Sequence, residues 1–320
     1  MGDILYSYGV TGLTLCPFRK QAPRFLITAG LVVLALQAPK NLVDAHEIRT
    51  LRDKAKAADA AAAAGKNLTD EQKADQKAWE EKRKESKPDQ KKIQKEIDDY
   101  RGGYPRIVGR RLGETSMWNS TFFYRFTFFD TAGMMLIGMG LYKLGVFSAA
   151  RSSRFYAWTV LAGYGVGVPL NWLIGNWRIA AGFDPLMMPL SFTSYDAGRL
   201  SVALGHVGVF MLAVRLGLMQ WLTSRLAAVG QMALSNYLLT SLICTTIFYG
   251  YGFGQFARLE RHQLMYVVLA VWTVNLVASP IWLRYFRFGP VEWLWRSLTY
   301  WQRQPMRIGA VAALAIPSGL

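Results

Sequence analysis

The sequence predicts an all-α fold: a multi-pass transmembrane helix bundle of about seven spans that carries a charged helical hairpin insertion. Apolar residues make up 52% of the 320 residues and aromatic residues 13%. No charged side chain occurs between Arg225 and Arg258, or between His262 and Arg284. Both gaps exceed the ~20 residues that an α-helix needs to cross ~30 Å of hydrocarbon. Because lipid offers no partner for exposed backbone N–H and C=O groups, such runs must be helices.

The net charge of +16 is the next feature to explain. In a soluble protein of this size it would suggest binding to nucleic acid. Here much of the positive excess lies in short loops beside apolar runs, where membrane topology accounts for it. Cys16 and Cys244 both lie in apolar runs, which argues against a disulfide framework or a zinc site. The sequence therefore predicts a lipid bilayer as partner, with no nucleic acid and no metal ion.

Seven apolar runs are candidate membrane spans. In chain order they cover Ile4–Phe18, Phe25–Pro39, Phe122–Tyr142, Phe155–Trp177, Leu200–Met219, and the two charge-free runs after Arg225 and after His262. The first two are short, and a hairpin that reaches only part-way across the bilayer is the alternative for them.

The charges of the connecting loops alternate along the chain. The loops after spans one, three, five and seven are basic: Arg19, Lys20 and Arg24; Lys143, Arg151 and Arg154; Arg215 and Arg225; Arg284, Arg287, Arg296, Arg303 and Arg307. The short loops between them are nearly balanced. Since basic loops stay in the cytoplasm, the pattern predicts seven crossings of a membrane with a cytoplasmic C-terminus and anionic lipids beside it.

Composition divides the chain into five parts. Residues 1–43 hold two short spans, 44–103 a charged insertion, 104–121 an interfacial segment, 122–300 a five-span membrane domain, and 301–320 a tail. The insertion has good helix signals: a stop at Gly65 and a capping box formed by Thr69 and Gln72. We expect a solvated, weakly packed hairpin outside the cell, serving either as a tolerated insertion or as a docking arm for an extracytoplasmic partner.

Three polar residues inside the apolar runs form a predicted catalytic cluster. Asp130, Asn171 and His206 lie at similar depth in the outer half of the membrane if the topology above holds. Ionisable groups there cost several kcal/mol, so each is a candidate site. An Asp–His–Asn group could hold a neutral imidazole that acts as a base. The alternative is that these residues hydrogen-bond for helix packing.

Two further sets of residues lie towards the cytoplasmic side. Asn236, Tyr237 and Asn275 could line a substrate path, although small and polar residues at helical spacing also hold membrane helices together. The second set, Arg284, Arg287 and Arg296, could bind the phosphates of coenzyme A or anionic lipid. No P-loop, zinc signature, nucleophile elbow or dinucleotide fingerprint is present in the sequence.

Long stretches of the chain resemble a known family. Residues 229–239, Val-Gly-Gln-Met-Ala-Leu-Ser-Asn-Tyr-Leu-Leu, resemble the V-G-R-M-A-L-T-N-Y-L-L signature of the YeiB-like bacterial membrane proteins (domain of unknown function 418). Residues 282–299 are similar to that family's ending, and residues 132–138 and 2–5 match as well. The likeness extends over nearly the whole chain except the charged insertion.

The resemblance implies a multi-helix inner-membrane protein, similar to a wider superfamily that moves an acyl group from cytoplasmic acyl-CoA to an acceptor across the membrane. The sequence differs from the family pattern at its N-terminus, where full members carry extra helices with a Leu-Asp-x-x-Arg-Gly motif. We therefore expect a chain without those helices. Gln231 stands where the family usually has Arg, and Asp130 and His206 where it tends to have uncharged residues. An acyltransferase is therefore the first hypothesis, and a transporter or a non-catalytic scaffold the alternatives.

Overall fold

A computed structural model describes residues 4–308. Met1, Gly2, Asp3 and residues 309–320, which include most of the expected tail, lie outside the described residues. Thirteen α-helices make up nearly all of the described chain, so the predicted all-α fold class is confirmed. They are α1 (Ile4–Leu15), α2 (Pro23–Ala35), α3 (Gln37–Ala63), α4 (Asp70–Glu85), α5 (Gln90–Tyr100), α6 (Tyr104–Met117), α7 (Phe128–Lys143), α8 (Ser153–Ala180), α9 (Met187–Arg215), α10 (Gln220–Gln231), α11 (Ala233–Phe248), α12 (Arg261–Leu283) and α13 (Pro290–Thr299). A 3-10 helix (Cys16–Lys20) follows α1, and a π-helical segment (Trp118–Thr127) joins α6 to α7.

Several of these helices are long and apolar enough to cross a bilayer, and the chain is a membrane protein. By length and composition there are four within residues 4–308: the nearly continuous pair α2–α3, α8, α9 and α12. The pair α10–α11 would make a fifth if it counts as one span bent by 87°. With 12 and 16 residues, α1 and α7 are shorter than a typical span. The expected count of seven crossings therefore stays a prediction.

Two spans differ from their predicted form. The fifth begins at Met187, not at Leu200, so Arg199 lies inside a 29-residue helix rather than in the preceding loop. The sixth is not one straight helix, because the chain breaks at Met232 between α10 and α11. Both differences arise from side chains that bind distant residues, as described below.

Within residues 4–308 the helices group into two compact units, one of residues 4–93 with 111–216 and the other of residues 94–110 with 217–308. In the first unit, α8 and α9 meet backbone to backbone through glycines. A Cβ atom built on Gly163 would lie 2.5 Å from the backbone nitrogen of Gly205 and 2.6 Å from the carbonyl oxygen of Ser201. In the same unit, a Cβ on Gly30 of α2 would lie 2.6 Å from the carbonyl oxygen of Gly133 of α7. Small residues thus bring these apolar helices close together, the usual packing mode where water supplies no hydrophobic force.

Basic side chains tie together the loops at one end of the first unit. Lys143, at the end of α7, donates to the carbonyl oxygen of Gln21 at 2.7 Å. Arg215, at the end of α9, donates to Ser153 at 3.1 Å and to the carbonyl oxygen of Ala149 at 3.0 Å. Hydrogen bonds from Lys143 and Arg215 therefore link three loops whose positive charge predicts a cytoplasmic location.

The charged insertion is helical, as predicted from its local signals. The helix stop is confirmed: α3 ends at Ala63, and Gly65 takes a left-handed φ of 74°. The capping box between Thr69 and Gln72 is confirmed, with hydrogen bonds of 3.0 and 3.2 Å. Among the residues of the insertion, the small Ala55 and Ala58 and the large Tyr100 are buried.

In the second unit, the corner between α5 and α6 packs on the loop that joins α11 to α12. The ring of Tyr100 stacks on Tyr249 at 5.1 Å and lies 4.7 Å from that of Phe256. The backbone nitrogen of Gly250 donates to the carbonyl oxygen of Tyr100 at 2.9 Å, and Arg101 donates to that of Phe256 at 2.8 Å. Stacked rings and backbone hydrogen bonds therefore fix this corner.

Asp99, buried beside this corner, gives the fold a predicted dependence on acid. It accepts hydrogen bonds from Arg110 at 3.0 Å and from Arg106 at 2.8 Å. The bond from Arg110, with that from Arg106 and both positive charges, holds the pKa of Asp99 below its usual value, although desolvation acts the other way. A lowered folded pKa stabilises the fold above the unfolded pKa of about 3.9, and this stabilisation is lost as pH falls through the folded value.

We therefore expect Asp99→Asn to lower the melting temperature at pH 7, and the deficit relative to the parent to shrink as pH is lowered below about 4. The measurement is thermal unfolding in detergent across pH 3 to 7. Asp98→Asn is the matched control, because its exposed carboxylate accepts only from Gln94 of the same helix. A deficit that stays constant over this pH range would contradict the ion-pair explanation.

The break at Met232 is held by a carboxylate from a helix 60 residues further along the chain. Glu292 of α13 accepts from the backbone nitrogens of Leu234 at 2.7 Å and of Ser235 at 3.0 Å, which lie in the first turn of α11. The hydroxyl of Ser235 also donates to Glu292 and in turn accepts from the backbone nitrogen of Val291 at 3.0 Å. The two helix starts therefore cap each other, satisfying N–H groups that a helix cannot satisfy itself.

Removing this reciprocal cap should destabilise the second unit. Glu292→Ala leaves two backbone N–H groups and a hydroxyl without their acceptor, so we expect a loss of about 2 to 3 kcal/mol. Glu292→Gln keeps one acceptor oxygen and should lose about half as much. Unfolding monitored by helical circular dichroism checks this, with Thr299→Ala on the same helix as control. If Glu292→Ala were as stable as the control, the cap would not be what holds the break.

Candidate functional site

The first unit contains a cavity of about 840 Å³ at the end of α7 and α9 away from the basic loops. Asp130 and Lys143 are 13 residues apart on α7, which corresponds to about 20 Å along a helix. The walls come from α3, the end of α4, the π-helical segment with the start of α7, and α9. Its volume lies within the range of small-molecule sites, about 300–1,000 Å³.

Helical periodicity explains which side chains reach the cavity. On α3 the lining residues are Gln37, Asn41, Asp44, Glu47 and Ile48, and on α9 they are Met188, Pro189, Phe192, Tyr195, Asp196 and Arg199. Steps of three and four residues keep each set on one face of its helix. Because α3 is one continuous helix from Gln37 to Ala63, the apolar second span and the charged insertion contribute to the same site.

An ion-pair triad forms one wall of the cavity. The guanidinium group of Arg199 binds both carboxylate oxygens of Asp130, with Nη1 3.1 Å from Oδ2, and its Nη2 also binds Asp196 one turn earlier on α9. The three side chains are only about a quarter to a third exposed. A planar guanidinium held between two carboxylates is rigid, so the triad presents fixed polar atoms to the cavity.

Aromatic rings line the walls on both sides of the triad. Phe122 and Phe126, on the π-helical segment, have ring centroids 5.1 Å apart, and Phe192 and Tyr195 on α9 are 5.7 Å apart. π-Helical segments are rare and often occur at functional sites. The cavity therefore combines broad apolar surface with a few fixed polar groups, as ligand sites do.

The predicted catalytic residues are not grouped as expected. Asp130 lies in the cavity wall and is paired with Arg199. The Nδ2 atom of Asn171 donates to the carbonyl oxygen of Gly167 at 2.6 Å, and Nδ1 of His206 lies 2.8 Å from that of Val202. Within residues 4–308 the three predicted residues share no hydrogen bond. Asp130 pairs with Arg199 because a guanidinium binds a carboxylate more strongly than a neutral side chain does. The catalytic role of the three residues stays a prediction.

The residues of the predicted substrate path lie in the second unit. Asn236 is buried, and its Nδ2 donates to the carbonyl oxygen of Val229 at 3.0 Å and to Ser279 of α12 at 2.9 Å. Asn275 donates to Thr240 at 3.1 Å. Tyr237 is 37% exposed. These bonds join α11 to α12, in the manner of polar packing between membrane helices; binding of substrate by these residues stays a prediction.

The three arginines expected to bind phosphate are exposed. The guanidinium of Arg296 lies over the ring of Phe288, 4.7 Å from its centroid, and borders a groove of about 440 Å³ beside the start of α11. Glu292 and Trp295 also line this groove. Arg284 and Arg287 do not line it, and the backbone nitrogen of Arg287 donates to the carbonyl oxygen of Met306 at 2.9 Å.

Sequence reasoning missed the residues that define the cavity. In the sequence, Asp196 and Arg199 stand just before the apolar run that is expected to start at Leu200, so the pattern places them in the preceding loop. Their three-residue spacing, which allows an ion pair on a helix, was the available signal, together with the need of Asp130 for a partner inside an apolar run. In the sequence Glu292 is an acidic residue within a basic stretch, and nothing near it indicates its partners on α11.

Comparison with known proteins finds similarity to proteins that are described as uncharacterized. A family model described as "Protein of unknown function (DUF418)" matches residues 141–302. The "Uncharacterized protein YeiB" of Escherichia coli (strain K12) is 40% identical over 179 residues, which cover 52% of this chain and 43% of that protein. The "Uncharacterized protein YxaH" of Bacillus subtilis (strain 168) is 49% identical over 80 residues, which cover 25% of this chain and 20% of that protein.

The chain thus spans less than half the length of these relatives. No solved structure matches it.

Proposed function

This chain belongs to the DUF418 family of proteins of unknown function, and we propose that this membrane protein binds a small molecule in the cavity beside Arg199. The observation that carries the proposal is the cavity itself, in which aromatic walls meet a partly buried ion-pair triad. Ion pairs between apolar helices cost desolvation energy. Helix packing alone would be served by a filled interface, whereas a ligand site needs the open volume that is present here.

We further propose that the protein lies in a bacterial inner membrane, with the basic end of the first unit in the cytoplasm and the cavity towards the outside. Support comes from the positive-inside rule and from the bonds of Lys143 and Arg215, which gather the basic loops at one end. In this orientation the charged insertion, which contributes α3 and α4 to the cavity, lies outside the cell.

Bound ligand tests the proposal directly. The protein purified from membranes in mild detergent should retain a small molecule, detected as added mass on the intact protein by mass spectrometry. Met188→Trp places an indole in the cavity wall and should abolish the added mass. Val168→Trp is the control, since Val168 is 54% exposed on α8 and does not line the cavity. Equal retention by both variants would show that the ligand binds elsewhere.

Accessibility tests the orientation. In a background with Cys16→Ser and Cys244→Ser, a membrane-impermeant maleimide should label Thr127→Cys, in the cavity wall, in intact cells. Ser148→Cys, in the exposed loop at the basic end, should be labelled only after permeabilisation. The reverse pattern would overturn the proposed orientation.

Acyl transfer from acyl-CoA to an extracytoplasmic acceptor is the second candidate. The groove bordered by Arg296 favours it, because an exposed guanidinium beside the apolar side chains of Leu234 and Trp295 suits a phosphate attached to an acyl chain. Arg284, Arg287 and Arg296 would bind coenzyme A phosphates or anionic lipid. Arg296→Gln should weaken binding of palmitoyl-CoA several-fold if the groove is the site. A loss seen only with vesicles of anionic lipid would assign the arginines to membrane anchoring.

A further inference from the structure

We propose that the cavity of the first unit takes an organic cation, an amine or quaternary ammonium group attached to an apolar body. This inference rests on the proposed function, because it assigns a ligand class to the same cavity. It is carried by the balance of charge around the cavity, by the aromatic faces of its wall and by the way the arginine is already paired.

The cavity wall has an excess of negative charge. Among the described residues, five carboxylates line it, those of Asp44, Glu47, Glu85, Asp130 and Asp196, against the cations Lys82 and Arg199, and Lys40 adds a third positive charge over the ring of Phe126. Arg199 pairs with both Asp130 and Asp196, and Lys82 lies 3.5 Å from Glu85. Asp44 and Glu47 make no ion pair with any residue in the described part of the chain. The wall is therefore locally negative in a protein whose overall charge is +16.

A negative wall in a basic protein selects the sign of a ligand's charge. Clefts lined by charge of one sign concentrate ligands of the opposite sign. An anion would meet the unpaired carboxylates of Asp44 and Glu47, and the guanidinium group of Arg199 in the wall is already shared between two carboxylates. The lining thus disfavours phosphates and carboxylates and favours cations.

The aromatic rings point to an organic cation. The chain places its own cations on two of the lining rings: Lys40 lies 3.7 Å from the centroid of Phe126, and the guanidinium carbon of Arg199 lies 5.0 Å from that of Tyr195. These rings are therefore in an environment where cation–π contacts form. Within residues 4–308, no three His, Cys, Asp or Glu side chains are grouped so as to hold a metal ion.

Binding of three small probes of matched shape tests the charge preference. The Thr127→Cys protein in nanodiscs is labelled with a maleimide in the presence of benzyltrimethylammonium, benzyl alcohol or benzylsulfonate. The cation should slow labelling at a concentration at least about tenfold lower than either of the others. As a second readout, of the three probes only benzyltrimethylammonium should raise the melting temperature of the protein without the Thr127→Cys substitution.

Neutralising the unpaired carboxylates provides the residue-level test. Asp44→Asn with Glu47→Gln should weaken protection by benzyltrimethylammonium about fivefold or more and leave benzyl alcohol unchanged. Asp53→Asn with Glu81→Gln is the matched control: it removes the same charge from α3 and α4 at positions outside the cavity wall.

The outcomes separate this inference from the proposed function. Equal protection by all three probes would overturn the charge preference while leaving the cavity as a ligand site. The same holds for an equal loss of protection in the two double variants, because long-range charge would then explain the effect. A Thr127→Cys side chain that no maleimide reaches in a folded protein would overturn both.

Discussion

Gly163→Leu is expected to prevent the first unit from folding, with a cost of at least about 3 kcal/mol. The Cβ of any larger residue would press on the backbone of α9 at Gly205 and Ser201, and backbone cannot move aside as a flexible side chain can. The helices would have to separate, which breaks the packing on which their association in lipid depends. The expected result is loss of the monodisperse peak in size-exclusion chromatography after extraction with mild detergent.

Gly165→Leu is the matched control on the same helix. A Cβ on Gly165 has open space around it, so the same loss of a helical glycine should leave the elution profile and the melting temperature nearly unchanged. Intact folding of Gly163→Leu would mean that α8 and α9 are further apart than this arrangement requires.

Arg199→Gln is expected to cost about 2 to 4 kcal/mol, because it leaves the carboxylates of Asp130 and Asp196 facing each other without a counter-charge in a partly buried site. The measurement is thermal unfolding of the purified protein at pH 7. Arg199→Lys should recover only part of the loss, since an ammonium group cannot bind Asp130 through two parallel hydrogen bonds as the guanidinium does.

Neutralising the partners supplies the decisive comparison. Arg199→Gln combined with Asp130→Asn and Asp196→Asn removes the charge imbalance and should restore most of the stability. If the triple variant were no more stable than Arg199→Gln alone, the arginine would act through packing and not through its charge.

Local signals in the sequence predicted local structure well. The helix stop before Gly65 and the capping box of Thr69 and Gln72 depend on residues within one turn of each other, so composition and spacing were enough. The all-α class and the membrane location followed from runs without charge, which reflect the solvent rather than any particular contact.

The features that were missed depend on residues far apart in the chain. Asp130 and Arg199 are 69 positions apart, and Glu292 is 58 positions from Leu234. A charge inside an apolar helix therefore predicts, from the sequence alone, the end of the helix, whereas a partner on another helix makes the charge tolerable within it. The break at Met232 likewise has no glycine or proline at that residue to indicate it in the sequence. The carboxylate that holds the break comes from α13, 60 residues further along.

The reciprocal cap between α11 and α13 has a consequence for the order of assembly during synthesis. Until residues 290–299 have left the ribosome, the backbone nitrogens in the first turn of α11 lack the carboxylate of Glu292 as acceptor. We therefore expect α11 to reach its final position only after α13 has been synthesised. A chain cut before Pro290 would lack Glu292, so the backbone nitrogens of Leu234 and Ser235 would never gain this acceptor. Such a chain should be degraded faster in the membrane than the full-length chain.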